Sequence, residues 1–109
     1  RRNESLRMTT KLATIADEMK TLVGQEPTWA QRSLPAGLRI IYQRHEDGRV
    51  RLALAREDAY PSDDDIASAL AAFTIPASAE ADYGQHRWIS PKTNRPVNFY
   101  RVQFQWMER

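Results

Sequence analysis

The sequence predicts an α+β fold in the order α-β-β-α-β-β: a four-stranded, mostly antiparallel sheet with both helices packed on one face. Three observations lead there. One early stretch repeats apolar residues at helical spacing. Two later stretches alternate apolar and polar side chains. Between those two, a Ser followed by three acids opens a second helix.

The first helix rests on Leu12, Ile15, Ala16, Met19, Leu22 and Val23, which recur at i, i+3, i+4, i+7, i+10 and i+11. Thr9 or Thr10 can cap its start and Gly24 can end it, so it is expected over 10–23. Residues 24–36 hold two prolines and no period. They are read as a connecting loop, anchored to the core by Trp29 and Leu34.

Residues 38–45 and 49–56 are β-rich and flank Glu46-Asp47-Gly48, a hairpin signal. In the second of these strands Val50, Leu52 and Leu54 face one side; Arg51, Ala53 and Ala55 face the other. Residues 57–61 turn out of the hairpin. Ser62 at the N-cap, then Asp63, Asp64 and Asp65, starts a helix expected over 63–73. Its apolar face is Ile66, Ala69, Leu70 and Phe73, and it stops before Pro76. Residues 75–84 are Ala-rich and acidic and are read as irregular and mobile. A strand is expected at 86–90, a turn at 91–96, and the best strand of the chain at 97–107. There Tyr100, Val102, Phe104 and Trp106 point one way, and Phe99, Arg101, Gln103 and Gln105 the other. The two α-β-β halves show no residue-level repeat. The expected core joins Leu12, Ile15, Met19, Leu22, Ile66, Leu70 and Phe73 to the inner residues of the sheet. Strand order is left open.

Composition bounds the function. The chain has 109 residues, 41% hydrophobic and 28% charged, which describes one ordinary folded domain. It has no Cys, which excludes disulfides, thiolate metal sites and Cys nucleophiles. No apolar run is long enough to span a bilayer, so no membrane partner is expected and the cytoplasm is the expected compartment. The net charge of +2 resides in residues 1–7, which are read as a leader or cloning remnant and expected to be disordered. Residues 8–109 form the domain.

Charge nonetheless segregates. Residues 32–56 hold six Arg against Glu46 and Asp47, residues 57–82 hold seven acids and no base, and residues 83–101 hold four bases and no acid. The alternation puts Arg39, Gln43, His45, Arg51, Phe99, Arg101, Gln103 and Gln105 on the sheet face away from the helices. Arg, Gln and an aromatic ring on an open sheet are the groups that contact phosphates and stack on bases. The competing reading is a solvated face. Lys92 and Arg95, in a turn near Arg87, extend the candidate set, although turn-favoured residues explain that tip equally well. Trp29, Trp88 and Phe99 are candidate interface residues, since aromatics are enriched at interfaces.

Other features carry less. Asp63, Asp64 and Asp65 are consecutive on one helical turn, so their carboxylates fan apart, and interaction with the helix dipole accounts for them. His45 and His86 have no nucleophile partner, and no nucleophile elbow, zinc-protease or Gly-rich phosphate motif occurs. No catalytic residue, metal site or cofactor is expected. Three functions follow in order. The first is a non-catalytic binding module for nucleic acid, using Arg39, Arg51, Arg87, Lys92, Arg95, Arg101 and Gln103. The second is a protein-interaction or homodimerising module using the C-terminal strand and exposed Trp. The third is a small-ligand protein or enzyme with a pocket between sheet and helices.

Overall fold

The computed structural model describes residues 2–23, 29–34, 37–57 and 59–108, with side chains from Leu12 onward. The elements are α1 (Arg2–Val23), β1 (Trp29–Ser33), β2 (Arg39–Arg44), β3 (Arg49–Glu57), α2 (Asp63–Ala72), β4 (Glu80–Ile89) and β5 (Pro96–Met107). The fold is α+β, with two helices and one antiparallel sheet in the order β1-β2-β3-β5-β4.

The sheet has five strands, not four. The added strand, β1, comes from the segment read as a loop. It pairs with β2 from Trp29 opposite Gln43 to Ser33 opposite Arg39. Only Ala30 is buried in it, so it carries almost no apolar alternation. β4 also begins earlier than expected, at Glu80, inside the stretch read as irregular. It is an edge strand exposed along nearly its whole length, so nothing in its sequence had to alternate. β5 pairs with β3 on one side and β4 on the other. The C-terminal strand therefore has no free edge, which removes the expected route to a homodimer through it.

The α1 backbone is helical from Arg2, taking in most of the segment set apart as a leader. Helix α2 starts as its sequence dictates. The Asp65 N–H donates to Ser62 Oγ at 3.1 Å and the Ser62 N–H donates to Asp65 Oδ2 at 2.9 Å, a reciprocal capping box. Arg56, near the end of β3, holds the same carboxylate through two guanidinium bonds of 2.7 and 3.0 Å.

One hydrophobic cluster joins Leu12, Ala16, Met19 and Val23 of α1, with Ala69 and Phe73, to Ala30, Ile40, Tyr42, Val50, Leu52, Leu54, Val102 and Phe104 of the sheet. The pairing puts all these sheet residues on one face: Ile40, Leu54 and Val102 share one cross-strand row, and Tyr42, Leu52 and Phe104 the next. Tyr42 stacks on Phe73 at 5.6 Å between centroids. Leu22 and Leu70, expected in the core, are exposed; Val23 and Ala69 are buried in their place. In each case the helix turns a neighbouring apolar residue inward.

Glycine is required at position 48. Gly48 has φ +94°, and a Cβ there would lie 2.7 Å from the Glu108 carbonyl oxygen. That contact closes the β2–β3 hairpin against the end of the chain, where the Glu108 N–H donates to the Gly48 carbonyl at 2.8 Å.

Candidate functional site

The other face of the sheet is defined by the same pairing. Ser33, Arg39, Ala55, Arg101 and Gly84 form one row across all five strands. The next row is Gln31, Ile41, Ala53, Gln103 and Asp82. The one after is Trp29, Gln43, Arg51, Gln105 and Glu80. On the far side of the first row, Phe99 stands between Glu57 and His86.

β3 contributes Ala53 and Ala55 to this face, between long side chains on β2 and β5. The two small residues leave a trough of about 300 Å³ lined by Gln31, Arg39, Ile41, Arg51, Ala55, His86, Trp88, Phe99 and Arg101. Its floor and one end are apolar. Ala53 is 1% exposed and Phe99 7% exposed, although neither belongs to the main core. Their own neighbours on this face bury them. The Arg39 guanidinium lies 4.6 Å from the Phe99 ring centroid, and the Trp88 ring centroid is 6.2 Å from that of Phe99.

Three arginines surround the trough, and their partners set them apart from other arginines of the central strands. Arg44, Arg49 and Arg56 pair with Glu108, Asp47 and Asp65 at 3.1, 2.8 and 2.7 Å. Among the described residues no ion pair involves Arg39, Arg51 or Arg101. Arg51 is held by neutral amides: Nε donates to Gln103 Oε1 at 2.5 Å and Nη1 to Gln43 Oε1 at 3.5 Å. Burial, and then the charge of Arg101, lower the Arg51 guanidinium below its ordinary value. Arg101 Nε is buried without a hydrogen-bond partner. The Arg101 side chain folds over Gly84, where an added Cβ would meet Nη2 at 3.2 Å. Cations crowded together, partly desolvated and lacking carboxylates favour a bound anion.

Carboxylates are present on this face but stand outside the trough. Glu80 and Asp82 lie on the β4 edge, and Glu57 borders a separate cleft with Ser33, Gly37, Arg39 and Arg56.

The structure therefore brings together Arg39, Arg51, Arg101, Trp88 and Phe99. Gln103 orients Arg51 from beside the trough. Trp29 shares the face, 51% exposed, at the β1 edge. Arg87 pairs with Asn98, in register with the helix-side residues, and so points to the opposite face. Lys92 and Arg95 sit in the exposed β4–β5 turn, beyond the trough. His45 lies in the β2–β3 turn. Gln31 and Ile41 were not expected here; Ala55 was placed on this face by alternation, and His86 was weighed only as a histidine without a nucleophile partner. The alternation of β2 carried a signal for Ile41, two residues from Arg39, whereas Gln31 and His86 needed the strand pairing.

No helix is long and apolar enough to cross a membrane. Among the described residues no group of three or more His, Asp or Glu is placed to hold a metal. Comparison of the chain with protein-family models, with curated proteins and with solved structures finds no match.

Proposed function

We propose that this chain is a non-catalytic binding module whose open sheet face holds a single strand of nucleic acid. Successive backbone phosphates would lie along the arginine trough and a base would lie against Trp88. One observation carries the reading: Arg39, Arg51 and Arg101 converge on an apolar-floored trough without a carboxylate partner, while the arginines beside them are paired. Guanidinium groups match phosphate oxygens in pairs, and an indole 40% exposed beside them offers a stacking surface. A duplex is a poorer fit. The carboxylates of Glu80 and Asp82 on the edge of this face would oppose the second strand.

Intrinsic fluorescence tests this directly. Titration with a short single-stranded oligonucleotide should quench the Trp88 component, and inorganic phosphate should compete only weakly. A signal that persists in Trp88→Phe but vanishes in Trp29→Phe would move the contact to the β1 edge and refute the trough.

A further inference from the structure

Strand β4 is a ten-residue edge strand paired only with β5, and it bears Tyr83, Trp88 and Ile89, exposed by 57, 40 and 62%. It holds no proline or lysine and no helix is paired along it, so of the usual protections of an edge strand it carries only the charged side chains Glu80, Asp82 and Arg87. Its sequence, Glu-Ala-Asp-Tyr-Gly-Gln-His-Arg-Trp-Ile, places acceptors in the first half and ring N–H donors in the second. That polarity is what antiparallel self-pairing requires.

We infer that β4 is a homodimer interface, two copies pairing antiparallel about a two-fold axis at Gly84. Directly opposed residues of an antiparallel ladder share a sheet face, so only registers that pair even with even and odd with odd positions are allowed. With Gly84 on the axis, Asp82 faces His86 of the second copy and Glu80 faces Trp88 of the second copy. Tyr83 faces Gln85 of the second copy on the other side of the sheet. Each pair joins an acceptor to a donor, and each occurs twice. Moving the axis to Tyr83 places Asp82 against Gly84. Moving it to Gln85 carries Glu80 beyond the strand, to Ser90. Of these three registers, the Gly84 one alone gives both carboxylates a ring N–H.

The axis stands perpendicular to the sheet, so the product is one continuous ten-stranded sheet with both arginine troughs on the same side. Because each Arg101 folds over its own Gly84, the two Arg101 side chains flank the axis. The dimer thus sets the two troughs on one face, with the paired Glu80 and Asp82 carboxylates between them. The dimer does not depend on a ligand, so its test is separate from that of the binding reading.

Sedimentation equilibrium of the full chain without ligand measures it. The wild type should be dimeric at micromolar concentration. Asp82→Lys removes the acceptor opposite the His86 ring N–H and buries a cation there, twice per dimer, and should weaken association by about tenfold or more. Adding His86→Asp creates an opposite-charge pair in this register only, and should recover the dimer. A wild type that stays monomeric at its solubility limit overturns the inference, whether or not the variants fold. So does a dimer indifferent to Asp82→Lys, or a double variant no tighter than the single one.

Discussion

Gly84 of β4 stands directly across from Arg101 of β5, and the absence of a side chain at 84 lets the Arg101 guanidinium lie over the strand. A methyl group there would meet Nη2 at 3.2 Å, the far end of a flexible chain that can swing aside. Gly84→Ala is therefore expected to leave stability unchanged or raised by up to about 1 kcal/mol, through lower entropy of the unfolded chain. It should weaken anion binding several-fold, because Arg101 is displaced. Chemical denaturation and an oligonucleotide titration on the same sample check both halves. Loss of stability with intact binding would mean that the glycine serves the backbone instead.

The two faces of β3 should respond oppositely to truncation. Leu52 is fully buried between Tyr42 and Phe104, so Leu52→Ala should cost about 2–5 kcal/mol. Arg51, one residue away, points to the open face, and Arg51→Ala should cost less than about 1 kcal/mol. Urea midpoints of the two variants decide it. Equal losses would mean that the strand register is not the one described.

Asp65 links the acid stability of the fold to α2. The Arg56 guanidinium, and then the hydrogen bonds from Ser62, hold its carboxyl below the ordinary value of 3.8, against an opposing effect of burial. A lowered folded-state value means the native state favours the charged form. The contribution is complete above about pH 4 and is lost as pH falls through the folded-state value. Asp65→Asn should lower stability at neutral pH by about 1–2 kcal/mol, by loss of the ion pair with Arg56, since the Asn amide oxygen can still accept from the Ser62 N–H. It should also flatten the fall in stability between pH 4 and the acid limit, relative to wild type. Thermal melts of both proteins across that range measure the difference, and parallel pH curves would remove Asp65 from this role.

Trp88 should contribute stacking rather than charge. Trp88→Ala is expected to reduce single-strand affinity by about 1–3 kcal/mol while leaving the salt dependence of binding unchanged. A change in the salt slope would show that the substitution disturbs the arginines, not a stacking surface.

The legible parts of the sequence were those where burial enforces a period. Val50, Leu52 and Leu54 alternate because one side of β3 enters the hydrophobic cluster, and Val102, Phe104 and Trp106 alternate for the same reason in β5. Ser62 and Asp65 announced the start of α2 by local chemistry alone. The edges were illegible. β1 buries only Ala30, and the nearby prolines at 27 and 35 make it read as loop. β4 is solvated on both faces, so Glu80, Asp82 and Gln85 follow no period. The arginine face was partly readable, since Arg39, Arg51, Arg101 and Phe99 follow from alternation within their own strands. Arg87 was misplaced because its face depends on register with Asn98, and pairing register across a turn is not written in either strand. The missing carboxylates around the three arginines are likewise a property of tertiary packing.

The most direct test of the arginine trough is a salt titration of single-stranded oligonucleotide binding by the wild type and by Arg51→Ala/Arg101→Ala. Three phosphate-neutralising arginines predict a slope of log K against log salt of about −2, and removal of two should bring it to about −0.7 with a large fall in affinity at low salt. The fold should persist in the variant, since both side chains lie on the open face. Equal affinity and equal slope for the two proteins would contradict the account.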